Sequence, residues 1–156
     1  MPDVFTKKRR SEVMSRIRSR GNRDTELVMV RVLRELGITG WRRHHPLSLR
    51  IQNSRFRIQV QHPARVRPDF VFRERRVALF VDGCFWHVCP RHATQPRGNA
   101  AFWREKLARN QARDRRVTRL LKAKGWKVIR IWEHELARKR EKRLVARLRR
   151  ALDQFQ

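Results

Sequence analysis

Acids are scarce in this chain. Only 14 of its 156 residues are Asp or Glu, against 41 Lys and Arg, for a formal charge of +27. A surface so short of carboxylates attracts polyanions, and nucleic acid is the default partner. Long apolar runs are also missing. None approaches the roughly 20 residues of a membrane span, and no signal-peptide core follows Met1, so a membrane location is excluded and a cytoplasmic one expected. Cysteine is down to two residues, too few for a disulfide scaffold. In a reducing cytoplasm such thiols serve more often as metal ligands. No internal repeat or low-complexity linker interrupts the chain. What is present is a core: 40% of residues are hydrophobic, with five Trp and eight Phe, which excludes a disordered polycation and leaves room for one domain.

The pattern along the chain alternates helix and strand. Residues 1–22 form a basic arm or short helix suited to contacting DNA, and 23–156 form a single domain. A first helix starts near Asp24 or Thr25, carries Met29, Val32, Leu33 and Leu36 at helical spacing, and stops at Gly37. The stretch "RFRIQVQ" alternates Phe56, Ile58 and Val60 against polar residues. "PDFVF" and "RVALFVD", joined by Arg73-Glu74-Arg75, read as a hairpin. A long helix runs from about Asn99 to Lys124 and ends at Gly125. "WKVIRIW" is another strand, and a last amphipathic helix presents Leu144, Leu148, Ala151, Leu152 and Phe155. The order predicts an α/β fold with a central mixed sheet flanked by helices.

Because acids are few, their positions inform. Asp69 enters one hairpin strand and Asp82 ends the next, so the two can converge on one cation in the oxygen-rich arrangement that suits magnesium. Glu26 sits in the first turn of the first helix, where the helix dipole also favours a carboxylate. Asn110 and Asp114 interrupt the apolar stripe Trp103, Leu107, Val117, Leu121 of the long helix. A carboxylate there needs a cation, an arginine or a histidine. Either an internal salt bridge or a contact that orients an active-site histidine satisfies it.

The stretch "VDGCFWHVCPRH" holds both cysteines. Cys84, Cys89 and His92 have the spacing of N/S metal ligands, and His134, just past "WKVIRIW", is the candidate fourth for a structural zinc. The alternative is a pair of buried free thiols. His87 is then left over, and a histidine beside a metal site can accept a proton from water near neutral pH. Phe85, Trp86 and Trp103 are either core plugs or a wedge that unstacks a base step.

The motifs "RPDF", "VDGCFWHVCPRH", "FWREKLARNQARDRR" and "GWKVIRIWEHE", with "MSRIRSRGNRDTE" near the start, together resemble the very-short-patch-repair (Vsr) DNA mismatch endonucleases. The resemblance implies a restriction-endonuclease-like fold that nicks one strand 5′ of the T in a T·G mismatch, the product of 5-methylcytosine deamination. It implies that Asp69 and the carbonyl of Val81 bind magnesium, that His87 activates water, and that Glu26 and Asp114 support them. It also implies an intercalating wedge of Phe85, Trp86 and Trp103 and zinc on Cys84, Cys89, His92 and His134. Asp82 stands where the family's best-known members carry a histidine, which leaves its role as ligand or supporting acid open. His134 replaces a familiar cysteine, and the segment before Asp69 is longer than usual. The expected partner is mismatched duplex DNA, bound by a monomer in a bacterial cytoplasm, with other mismatch-repair proteins as candidate contacts. Two alternatives compete with this enzyme: a zinc-stabilised DNA-binding module without catalysis, and a nickase aimed at another DNA target.

Overall fold

A computed structural model describes residues 25–49, 64–96 and 98–152. The basic arm of residues 1–22, the alternating stretch around Phe56–Val60 and Phe155 lie outside them. Helix α1 (Glu26–Glu35) is followed by strands β1 (Trp41–Arg43), β2 (Leu47–Leu49), β3 (Ala64–Val66), β4 (Phe70–Phe72) and β5 (Val77–Asp82). Helix α2 (Ala100–Ala123) crosses to strand β6 (Lys127–Trp132), two 3-10 turns follow (Glu133–Leu136 and Arg138–Arg140), and α3 (Glu141–Leu152) completes the fold. The expected helix–strand order is observed. Strands β1, β2 and β3 are additions, each too short to show a period in sequence.

The main sheet has the order β1-β4-β5-β6, antiparallel across β1, β4 and β5 and parallel between β5 and β6. It is the mixed sheet that the sequence predicts. Strand alternation sends Phe70, Phe72, Val77, Leu79, Ile129 and Ile131 to one face, where α1 and α3 cover them. Val71 and Ala78 point to the opposite face and pack with Leu121 of α2 and with the small β2–β3 sheet. Full burial of each large apolar side chain contributes roughly 1.5–3 kcal/mol, so both layers are firmly held to the sheet. Left-handed glycines end two helices where expected: Gly37 (φ 65) after α1 and Gly125 (φ 75) after α2. In each case the next residue's N–H turns back to a helix carbonyl, Ile38 to Leu33 and Trp126 to Leu121, both at 2.9 Å.

The parallel pairing of β5 and β6 decides where the chemistry gathers. Asp82 is in register with Trp132, so the segments after each strand emerge side by side at the sheet's carboxyl edge. That edge of an α/β sheet is where ligands commonly bind. No helix among the described residues is long and apolar enough to cross a membrane.

Candidate active site and metal centre

The loop after β5 is built on its own backbone. His87 N–H bonds to the Gly83 carbonyl at 3.1 Å and Cys89 N–H to the Cys84 carbonyl at 2.9 Å. The Cys84 N–H is anchored across the sheet edge on Glu133 Oε2 at 3.0 Å. Val88, β-branched, adopts φ 54, a conformation that costs about 1–3 kcal/mol. It separates His87 from Cys89 and turns them to different sites.

One of those sites is a cluster of Cys84, Cys89, His92 and His134, whose ligand atoms all lie within 4.8 Å of one another. Tetrahedral zinc, with bonds of about 2.3 Å to sulfur and 2.0–2.1 Å to nitrogen, requires a sulfur-to-nitrogen edge of about 3.6 Å. The observed edges bracket it: 3.3 Å from Cys84 Sγ to His134 Nδ1, 3.5 Å from Cys89 Sγ to the same nitrogen, and 3.7 Å from Cys89 Sγ to His92 Nδ1. Burial and the charges of His92 and Arg140 hold His134 below its ordinary histidine value, which keeps a lone pair ready for a metal. The four residues fit a closed structural metal site, and no disulfide joins the cysteines.

Phe85 and Trp86 do not sink into the core. They form a half-exposed aromatic cluster with buried Trp103, with ring centroids 5.0 Å (Phe85–Trp86), 5.4 Å (Phe85–Trp103) and 6.0 Å (Trp86–Trp103) apart. Phe102, 52% exposed, extends the cluster at 5.5 Å from Trp103. Lys106 Nζ lies 5.3–5.6 Å from the rings of Trp86, Trp103 and Phe102. Asn110 of α2 bonds the Trp86 carbonyl at 3.0 Å and fixes the loop to the helix. A cation set over clustered aromatics at the surface is suited to stacked bases and phosphate, not to a core. Phe102 and Lys106 had no signal of their own in the sequence, because the helical stripe assigns them to the outside.

Asp114 meets both partners its position demanded. Its Oδ2 lies 2.5 Å from His87 Nδ1 and its Oδ1 3.1 Å from Arg130 Nη2. Burial works to raise this carboxyl, but the hydrogen bond and charge of His87 and the charges of Arg130 and Arg113 outweigh it and hold it below its ordinary value. Asp114 is therefore ionised and accepts the Nδ1 proton, which leaves Nε2 as the basic nitrogen of His87.

Asp69 and Asp82 lie close enough to feel each other's charge, but their carboxylates take different partners. Asp82, 3% exposed, is gripped by Arg130 through contacts of 2.6 and 2.9 Å, and its Oδ1 lies 3.8 Å from His87 Nδ1. Its side chain points to the α2 face, and Arg130 on the neighbouring strand reaches it there. Asp69 gathers instead with Glu26 and His44, their ligand atoms within 4.8 Å of one another. Asp69 Oδ2 accepts the Val81 N–H at 2.7 Å. Glu26 is bound by Arg43 at 2.7 Å, and His44 Nε2 lies 2.8 Å from it, so it is far more than a dipole partner. Burial pushes the Asp69 carboxyl up to about 6, against the Val81 hydrogen bond that lowers it and with the charge of Glu26 raising it further. A buried carboxylate crowded by a second acid is relieved by a cation. His44 was not legible in sequence: a positive φ of 49 and a 3.0 Å bond from its N–H to the Asp69 carbonyl place it.

The model of the family described as "DNA mismatch endonuclease Vsr" matches residues 2–92. The chain belongs to the Vsr family. It is 34% identical to "Type II nicking enzyme V.XorIIP" of Xanthomonas oryzae pv. oryzae over 155 residues, 98% of each chain. It is 51% identical over 80 residues to "Type II nicking enzyme V.NaeI" of Lentzea aerocolonigenes, covering 51% of this chain and 48% of that protein. With "DNA mismatch endonuclease Vsr" of Escherichia coli the identity is 44% over 77 residues, 49% of each chain. The matches thus span only about half the length of the latter two relatives. Vsr membership and the nicking-enzyme relatives indicate a DNA-nicking hydrolase. The family match ends at residue 92, so Asp114, Arg130 and His134 rest on the geometry above.

Proposed function

We propose that this Vsr-family protein nicks one strand of duplex DNA 5′ of the T in a T·G mismatch, with magnesium as the catalytic metal and zinc as a structural one. The observation that carries this is one loop. Phe85 and Trp86, which meet the bases, directly precede His87, which meets the water, and the Cys84–Cys89 metal site holds all three. Asp69 and the Val81 carbonyl would hold the magnesium, and Glu26 would support them. When bound, the ion supplies charge to hold and polarise the scissile phosphate. His87 takes the proton of the attacking water at Nε2 while Asp114 keeps its ring oriented, and Arg130 keeps Asp114 in place. The basic arm of residues 1–22 adds DNA contacts.

Wedge and chemistry are separable by mutation. Trp86→Ala should reduce discrimination for a T·G duplex more than affinity for plain duplex. Unstacking costs a few kcal/mol and least at a mismatch, so a wedge gains most there. Competition binding with matched and T·G duplexes reads this out. Equal reductions on both would make Trp86 a packing residue.

The raised value of Asp69 sets a pH window. In the metal-free protein this group favours the folded state fully below its ordinary 3.8, and the contribution is lost as pH rises through about 6. Protons and metal therefore compete: magnesium affinity should fall about tenfold per pH unit below about 6, measured by calorimetric titration in the absence of DNA. Asp69→Asn should remove that dependence along with the binding.

A second reading keeps the nickase but changes its target, because the full-length relative V.XorIIP carries the name of a type II nicking enzyme. Strand-labelled T·G and matched duplexes of the same sequence decide. Cleavage of only the T-containing strand supports the mismatch reading, and equal cleavage of matched duplex supports the alternative.

A further inference from the structure

A second cavity lies against the zinc site, whose Cys89 and His134 form part of its floor, and its arginines have no part in the nicking chemistry. About 330 Å³ in volume, it is walled by Arg91 of the loop, Arg140 of the second 3-10 turn, and Arg143 and Arg147 of α3. Its carboxylate, Glu135, is already taken: Oε1 pairs with Arg147 at 2.6 Å and Oε2 accepts the Trp132 N–H at 2.8 Å. Arg147 also donates to the Arg130 carbonyl at 2.8 Å. The guanidinium groups of Arg91, Arg140 and Arg143 have no hydrogen bond or ion pair among the described residues. Three unpaired cations around one hollow repel each other, and an anion would relieve them.

An independent feature points the same way. Residues 138–143 read Arg-Lys-Arg-Glu-Lys-Arg, five cations at the amino end of the 12-residue helix α3. The helix dipole is positive there and disfavours cations. The acid of the group, Glu141, faces away to Arg31 at 3.8 Å. Local rules broken without compensation mark functional sites. The cavity also neighbours the candidate active site, because Pro90 and Trp132 line both it and the larger hollow that holds His87, Asp114 and Arg130.

We propose that this arginine-lined cavity is a phosphate-binding site that holds the DNA backbone alongside the active site. The proposal rests on the DNA-nicking reading for the source of the phosphate, but not for the site itself. Guanidinium forks match phosphate oxygens in paired hydrogen bonds, which favours a backbone phosphate over a base edge. Such an interaction positions the duplex without reading its sequence.

The test compares zinc-loaded wild type, Arg140→Ala/Arg143→Ala, and Arg149→Ala/Arg150→Ala at the opposite end of α3. Each double variant removes the same charge. Duplex binding is measured by fluorescence anisotropy over a salt series without magnesium. The slope of log affinity against log salt should shrink by about 0.9 for each phosphate that is no longer neutralised, so by about 0.9 for the cavity variant, which loses one. Its affinity should fall by the same factor on matched and T·G duplexes, and the control should keep most of its slope. Equal slopes in cavity variant and wild type, or equal reductions in both double variants, would overturn the site in favour of a diffuse charge field. Thermal melting with inorganic phosphate separates the site from its source. If wild type binds no duplex yet phosphate raises its Tm and not that of the cavity variant, the DNA reading fails and a free-phosphate site remains. No phosphate effect and no DNA effect together reject the cavity outright.

Discussion

Replacing His87 with Ala should cut the single-turnover nicking rate about 10²–10⁴-fold, the usual cost of losing a general base, while duplex affinity stays near wild type. The reason lies in where His87 is held. Its Nδ1 is committed to Asp114 at 2.5 Å, so only Nε2 is available to a water, and Arg130 fixes Asp114 from the other side at 3.1 Å. Asp114→Asn should therefore also reduce the rate, by loosening the ring and favouring the wrong tautomer, but by less than loss of the imidazole. The assay needs enzyme in excess over a labelled duplex, because arginine-driven binding would otherwise mask a chemical defect. A His87→Ala protein that nicks at the wild-type rate would move the base elsewhere, with Glu26 the next candidate.

Cys89→Ala should release the structural metal and most of the stability with it. Protein purified without added metal should carry about one equivalent of zinc per chain by elemental analysis, and the variant none. Cys89 is 1% exposed, and its sulfur contacts both histidines of the cluster, so its loss opens the tie between the β5 loop and the end of β6. Structural zinc contributes folding free energy directly, and removing it from a loop that carries Phe85, Trp86 and His87 should disable binding and chemistry together. Chelation of the wild type should reproduce the effect. A variant that melts normally, from a wild type with no zinc, would return both cysteines to the role of buried thiols.

The Cys/His cluster was legible because its spacing is local. Three ligands fall within one loop, and the fourth follows the strand that pairs in parallel with the loop's own strand. Asp114 was legible as a polar break in an apolar stripe. The partition of the acids was not. Asp69 and Asp82 sit at the same end of a hairpin, but Arg130 captures Asp82 from the neighbouring strand and so separates the two, a pairing that depends on β5–β6 register. The signal available was the arginine itself, a charged residue inside the apolar run "VIRIW". For His44 there was none, since only the fold brings it to Glu26 and Asp69. Strands β1, β2 and β3 were missed because three residues cannot display a period of two.

The central claim is metal-dependent nicking at Asp69, and one measurement reaches it most directly. Wild type and Asp69→Ala are incubated in excess with a T·G duplex labelled on each strand in turn, while magnesium is titrated. The account predicts a single cut in the T-containing strand by wild type, absent without the metal, and no cut by Asp69→Ala despite near-normal binding of the duplex. Cleavage by Asp69→Ala at the wild-type rate, or no cleavage by wild type in magnesium or manganese, would contradict it.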